Sequence, residues 1–505
     1  MNETFAPERP LGPAPDASRL AELGYEQELR RGLGVFGNIA MGFATISPVV
    51  GLYAVALVGT LVAGPMWLLA LPVALVGNLL LVSVYAELSS QFPVSGGAYQ
   101  WTRRLVGPRY AWVSGWLSVC AYLAANTTIA YLAAPWFWAL FGAAPSANQL
   151  VVTAAVFIVV ASVVNAYGID LLRRLLTAGI AAELVASVGV GLGLLLFSNR
   201  NGVAVLLDDM GTVDAFFGGS TVSAMLAVLA VAGWAFIGLD ACIAASEETR
   251  DAARNVPKAL WGSMLAVGTL VVLNAVAVTL AHPDLDGLVA GADLDPVTTA
   301  VVAGFGGWTA KPFVVVVVIA FFACGLAAQG ATARIVFSMA RDGVLPFSQL
   351  LRKVNTRHAP IGGIITVMVM GVLGLLLGVN SAAIGSLIAF GTAVVYLVFL
   401  LIVSAALWAR LTGRWVPSGT VRLGRIGTAV NVAAVLWLGF EFVNIAWPRA
   451  ILAPIGAPWY QVWAGFIVTA LVVAAGAIYL VRRRPDRLVA AATSFDAGSA
   501  KERRS

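Results

Sequence analysis

Twelve apolar stretches of bilayer length divide this 505-residue chain, and few folds accommodate that pattern. A hydrocarbon core about 30 Å thick is crossed by roughly 20 residues of apolar helix, because no water is present there to bond a bare backbone. Hydropathy places spans near 33–62, 65–91, 110–141, 148–168, 172–198, 222–247, 259–281, 312–340, 361–379, 384–409, 428–447 and 459–481. With 60% apolar and 11% charged residues, there is too little polar surface to clothe a water-soluble protein of this length. The expected class is an all-α integral membrane protein with twelve transmembrane helices, and the lipid bilayer is its first partner.

The net charge of +6 raises the possibility of nucleic acid, but the basic residues lie beside the spans. With the N-terminus inside, Arg103, Arg104, Arg109, Arg173, Arg174, Arg341, Arg352, Arg410, Arg422 and the run 482–484 all fall in cytoplasmic segments, whereas only Arg200, Lys311 and Arg449 fall outside. Lys and Arg beside short loops resist translocation, so both termini are expected in the cytoplasm of a multi-pass plasma-membrane protein. A nucleic-acid role loses its support. Cys120, Cys242 and Cys324 sit in separate apolar runs with no CxxC pair and no His cluster, so they are expected to pack, with no metal site and no cofactor. His282 and His358 lie on opposite sides of the membrane, and no phosphate-binding or nucleophile-elbow pattern is present, so neither an enzyme nor an ATP-driven pump is expected.

Span parity suggests the internal organisation. Spans one to five start inside and finish outside, and span six starts outside, so a second set of five is inverted relative to the first. The expected segments are a cytoplasmic tail, 1–32; a first repeat of spans one to five, 33–198; a second repeat of spans six to ten, 222–409; two additional C-terminal helices, 428–481; and a cytoplasmic tail, 482–505.

Spans one and six carry helix breakers at matching places. Pro48 in GFATISPVVGLY removes a backbone donor and clashes with the carbonyl one turn earlier, so the helix opens. Freed backbone groups in hydrocarbon are tolerated where they line a cavity, which makes Thr45, Ile46, Ser47, Pro48, Val49, Val50 and Gly51 candidate substrate contacts; a simple kink satisfied by Thr45 or Ser47 is the other reading. Span six holds Asp240 in GWAFIGLDACIAASEET, where the carboxylate either meets a cationic group or caps the following half-helix. Glu183, midway along span five, is either a proton carrier or a group hydrogen-bonded to a neighbouring helix. Glu441 in span eleven lies outside the proposed repeat. Arg334 either snorkels or pairs with an acid. Asn126 and Gln329 can bond a ligand or another helix, and Trp234 and Tyr396 can wall an amine or simply pack.

Three stretches resemble the amino acid, polyamine and organocation permease superfamily: ELSSQFPVSGGAYQW from Glu87 to Trp101, AFIGLDACIAASEETRDAARNVPKAL from Ala235 to Leu260, and ATARIVFSMARDGVLP from Ala331 to Pro346. The resemblance implies a five-plus-five inverted repeat with discontinuous helices one and six. It also implies that a substrate carboxylate meets the amides of span one and its amine the carbonyls of spans one and six, here Thr45 to Gly51 and Phe236, Ile237, Gly238, Asp240 and Ala241. Many amino-acid members carry a Gly-Ser-Gly type motif in span one. Its replacement by Ile46-Ser47-Pro48-Val49-Val50-Gly51, together with the Asp of Gly238-Leu239-Asp240, looks closer to the branch associated with choline, γ-aminobutyrate and polyamines. Glu183 falls where some proton-coupled relatives carry a Lys.

The expected function is secondary active transport of an amino acid or small organic amine by alternating access, with H+ as coupling ion and Glu183 as the coupling residue. A transport-inactive sensor of an amine or amino acid, or a sodium-coupled or exchange-type permease, is the alternative. The quaternary form is a monomer or homodimer.

Overall fold

Proline, glycine and serine set where the helices of this chain start and stop. The computed structural model describes residues 15–379, 381–453 and 456–487, side chains of 15–17, 379, 381–386 and 388–389 excepted. The outer parts of both expected tails, 1–14 and 488–505, lie outside the described residues. A short helix α1 (Pro15–Glu22) precedes the first apolar run, which is split into α2 (Val35–Ile46) and α3 (Pro48–Ala63). A 3-10 turn, Gly64–Leu69, leads to α4 (Ala70–Gln91), then α5 (Gly97–Leu105), α6 (Pro108–Ala139) and α7 (Ala147–Ala166). Next come α8 (Ile169–Leu184), a π-helical stretch Val185–Val190, α9 (Gly191–Phe197) and a loop helix α10 (Thr212–Phe217). The sixth run is split into α11 (Thr221–Ala232), a 3-10 turn Gly233–Phe236 and α12 (Asp240–Ala244). After it follow α13 (Ala252–Ala281), the loop helices α14 (Leu285–Val289) and α15 (Pro296–Phe305), α16 (Ala310–Arg341) and α17 (Ser348–Leu351). The series ends with α18 (Ile361–Leu375), α19 (Ser381–Leu411), α20 (Gly427–Ala446), α21 (Trp459–Val462) and α22 (Ala464–Arg483).

Among the described residues, eleven helical stretches are long and apolar enough to cross a membrane. The first, Val35–Gln91, holds 57 residues. As one rod it would run roughly 85 Å, nearly three hydrocarbon cores. Instead the chain turns at Gly64, where φ is +55°, and the Trp67 ring packs onto Gly59. A stretch of that length and shape has room for two of the twelve expected crossings.

Helix boundaries fall within a few residues of the hydropathy spans, with two larger differences. Helix α13 starts at Ala252 rather than near 259, because Arg254, Pro257 and Lys258 hide its first two turns from a hydropathy count. The last span loses residues 459–462 to the separate turn α21, and Trp463 caps α22.

Helix α13 packs on α2 and α4, α16 on α6, and α19 on α6 and α20, around one apolar core that reaches from Phe43 to Leu438. Several buried hydroxyls are bonded back to their own helix, as in Thr60 to Ala56 O and Ser162 to Ile158 O. Outward faces are apolar: Val152, Val156, Val159, Val160 and Val163 on α7, and Ile365, Val369, Met370 and Leu373 on α18, are exposed at helical spacing. Such faces are stable against lipid and not against water.

Candidate site at the two broken helices

Pro48 cannot donate into the preceding turn, so α2 does not run on into α3. Ser47 turns the chain at φ +49°. Its N–H closes α2 on Phe43 O at 2.7 Å, and its Oγ accepts from the Val50 N–H at 3.1 Å, capping α3. Thr45 Oγ1 donates to Met41 O at 2.7 Å, and the Cys324 thiol of α16 donates to Thr45 O at 3.2 Å. In the sixth run Ile237 is extended and Gly238 has φ +135°. Asp240 is the first residue of α12 and not its cap; the cap position is Leu239, with no side-chain bond.

The two breaks touch. A Cβ on Gly238 would lie 2.9 Å from Ile46 N and Thr45 C, and one on Gly51 would lie 3.2 Å from Ala235 O. Asn38 of α2 donates to Cys242 O at 3.2 Å and to Thr249 Oγ1 at 3.0 Å. Gly238→Ala is therefore expected to cost about 1–3 kcal/mol from the left-handed backbone alone. The added methyl group also pushes on α2, so the melting temperature falls and uptake is lost. Uptake and melting at wild-type values would mean that the contact is not needed.

Polar groups converge on the breaks from three other helices. Glu183 lies one residue before the end of α8 and just ahead of the π-helical stretch, a deformation that recurs at functional sites. It is fully buried and accepts a hydrogen bond from Ser47 Oγ beside the Val49 amide, at the N-terminus of α3; its Oε2 has no partner. Asp240 is buried and its Oδ2 has no partner. The hydroxyls of Tyr85 on α4 and Tyr122 on α6 are also buried without a hydrogen-bond partner, and both bear on the Asp240 carboxylate. Among the described residues, no Lys, Arg or His pairs with Asp240 or Glu183. A buried carboxyl group with an unpartnered oxygen and no cation beside it is costly in hydrocarbon.

The other candidate residues are placed differently. Ile46, Pro48, Val49, Val50, Phe236 and Ala241 are buried at the junction, and Ile237 is half-buried there. Tyr396 of α19 donates to Gly233 O at 3.1 Å, where α11 ends and the sixth-run break begins, and Trp234 there is half-buried. Asn126 bonds Tyr122 O at 3.0 Å and Thr332 Oγ1 at 2.8 Å; Gln329 bonds Ser162 Oγ at 2.6 Å and Ile158 O at 3.3 Å. Both line a cavity of about 20 Å³ between α6, α7, α16 and α18, the room of one water. Tyr85 and Tyr122 escaped the sequence reading, since each is one hydroxyl inside an apolar run.

Buried ion pairs gather at one end of the bundle. Arg334 pairs with Glu248, resolving the choice between snorkelling and pairing, with Nη2 to Oε1 at 3.0 Å. Arg341 holds Glu247 at 2.9 and 3.0 Å, and Arg103 holds Asp342 at 2.7 Å. The segment before α2 crosses this end as a strap: the Gly32 and Leu33 amides donate to Glu248 O at 3.0 and 2.9 Å, and Gln27 donates to Glu247 O at 3.0 Å. Tyr25 donates to Asp342 at 3.0 Å and carries the Arg341 guanidinium 3.9 Å above its ring. Burial, and then the Asp342 carboxylate, push the Tyr25 hydroxyl above the ordinary tyrosine range, so it stays a donor. Glu87 is likewise buried against Arg410.

The profile of the family described as "Amino acid permease" matches residues 33–475, across both breaks and all of the helices that surround them. The chain belongs to the amino acid permease family. This permease is 27% identical to the amino-acid permease BAT1 of Arabidopsis thaliana over 461 residues, covering 83% of this chain and 86% of that protein. It is 26% identical to the low-affinity putrescine importer PlaP of Escherichia coli over 388 residues, covering 76% and 82%. It is 27% identical to the branched-chain amino acid permease BcaP of Bacillus subtilis over 347 residues, covering 66% and 71%. As a member of this family the chain is a multi-pass membrane permease, and not an enzyme.

Proposed function

We propose that this permease carries a small molecule with an ammonium group, an amino acid or an organic amine, across the plasma membrane by alternating access coupled to protons. One observation carries the reading: Asp240 is buried beside the junction of the two broken helices, with an unpartnered Oδ2 and no cationic partner among the described residues. In this reading the backbone of Thr45 to Gly51 and Phe236 to Ala241 contributes the remaining substrate contacts, with Trp234 and Tyr396 beside the sixth-run break. The N-terminus of α3 attracts negative charge, and Glu183 already supplies a carboxyl group there. An ammonium group is therefore the feature a substrate must bring, and a substrate carboxylate has to compete with Glu183. The importer of putrescine among the relatives, which by its name takes a diamine, agrees with that preference.

Proton exchange at Glu183 acts on the same hinge. Its carboxyl is bonded to the serine that both ends α2 and caps α3, so a change of charge alters the break itself. In this scheme 33–198 and 222–409 are the inverted repeats, which rock against each other, and the ion-paired end is the cytoplasmic gate, with both termini on that side. Relatives that carry amino acids and a putrescine importer support the substrate class, and the charge asymmetry of the loops supports the orientation.

The test is a thermal-shift screen of amino acids, γ-aminobutyrate, choline, ethanolamine and putrescine on purified protein, since a ligand of the native state raises its stability. Uptake of the stabilising compound into proteoliposomes under an imposed pH gradient follows. Glu183→Gln is expected to keep ligand binding and lose pH-driven accumulation by about fivefold or more, the lower bound of an ordinary coupling energy. A mutant that retains full pH-driven accumulation would remove Glu183 from the coupling step.

A further inference from the structure

Glu441 of α20 lies in the membrane interior, wholly buried, and neither of its carboxyl oxygens has a hydrogen-bond partner. It is not alone. Trp437, one turn earlier on α20, packs against Gly77 of α4, and its indole N–H is also without a partner. Asn78, the next residue on α4, has an unpartnered Oδ1, while its Nδ2 donates to Ala74 O at 2.9 Å and Tyr396 Oη at 3.4 Å. Tyr396 interacts electrostatically with Glu441 and donates to Gly233 O at 3.1 Å, where the sixth run leaves its regular helix. Four unpartnered polar atoms gathered between α4, α19 and α20 are a costly arrangement in hydrocarbon, and packing alone gives no reason for it.

The charged and titratable groups around Glu441 are few. Helix α19 contributes Tyr396, α4 contributes the neutral Asn78, and α11 contributes none. Arg449, beyond the end of α20, bears on the carboxyl but is itself held by Asn444, with Nη1 on the Asn444 carbonyl and Nη2 on its Oδ1, each at 2.5 Å. Asn444 in turn donates to Leu226 O at 3.0 Å. Helix α11, the first half of the broken sixth run, is thus gripped twice from this side: by Asn444 along its length and by Tyr396 at its end.

We propose that Glu441 is a second intramembrane proton site, distinct from Glu183, whose charge is transmitted to the sixth-run hinge through the Tyr396 hydroxyl on Gly233. The exchange is a plain protonation: one proton joins a carboxylate oxygen and one negative charge disappears. Negative charge at Glu441 acts electrostatically on the Tyr396 hydroxyl, whose bond to Gly233 O ties α19 to the end of α11. Its neutralisation leaves that hydroxyl to hold α11. The proposal rests on the transporter reading only for its consequence; the proton site stands or falls by itself.

Infrared difference spectra of reconstituted wild type, Glu441→Gln, Glu183→Gln and Tyr396→Phe, titrated over pH, follow the carbonyl stretch of protonated carboxyl groups. Glu441→Gln should remove one titrating signal that Glu183→Gln retains. Tyr396→Phe should retain that signal but reduce the pH response of uptake by about fivefold or more. Identical titrations of wild type and Glu441→Gln would overturn the proposal, as would an unaltered pH response in Tyr396→Phe. If Glu441→Gln does not fold, Glu441→Asp takes its place in the titration, with a displaced signal expected and an undisplaced one counting against the site. Wild type that titrates as described but transports nothing would defeat the transporter reading alone.

Discussion

Asp240→Asn is expected to weaken binding of a cationic substrate by about 2–5 kcal/mol, the usual loss when one member of a buried charge pair is truncated. That is roughly 30-fold or more in affinity. Asparagine keeps the volume of the side chain and removes an unpaired buried charge, so the melting temperature of the empty protein should not fall. The effect is thereby separated from simple misfolding. Calorimetric titration with whichever amine stabilises the wild type measures it directly, and an affinity within a factor of two of wild type would move the ammonium site elsewhere.

Arg334→Met is expected to be the most destabilising single substitution at the ion-paired end, by about 3–5 kcal/mol, because it strands the buried Glu248 carboxylate. The double variant Arg334→Met with Glu248→Met should recover most of that loss, since the pair has to be desolvated in the wild type too. Denaturant melts in detergent compare the three proteins. A single mutant within about 1 kcal/mol of wild type, the value of an exposed pair, would mean that the end is open to water and is not a gate.

Much of this architecture was readable before any coordinates, for a physical reason. Lipid forbids unpaired backbone, so crossings must be long apolar helices, and a proline or a carboxylate inside one stands out. Pro48 and Asp240 marked the two breaks in that way. The first break was legible down to its hinge residues; the role of Asp240 was not, since a cap and a ligand carboxylate read alike in sequence. Its position at the start of α12, one residue past the cap, is a matter of Gly238 taking φ +135°.

Contacts between distant residues were illegible. Ser47 and Glu183 are 136 positions apart, and Arg334 and Glu248 are 86 apart. Which helix faces which decides such pairs, and apolar membrane helices carry little amphipathic signal to say so. Tyr85 and Tyr122 were hidden for the same reason. Asn126 and Gln329, chosen as polar groups in apolar runs, turn out to bond Thr332 and Ser162. A polar residue in a span announces that it needs a partner without naming it.

The central claim is that the joined breaks of the first and sixth runs form a site that binds an ammonium compound and opens to each side of the membrane in turn. Counterflow tests it most directly: proteoliposomes loaded with an unlabelled amine that stabilises the protein are diluted into a trace of the labelled compound. Transient accumulation of label by the wild type, absent in folded Asp240→Asn, is the predicted result. Tight binding with no accumulation in the wild type would contradict it and leave a sensor, as would equal accumulation by the two proteins.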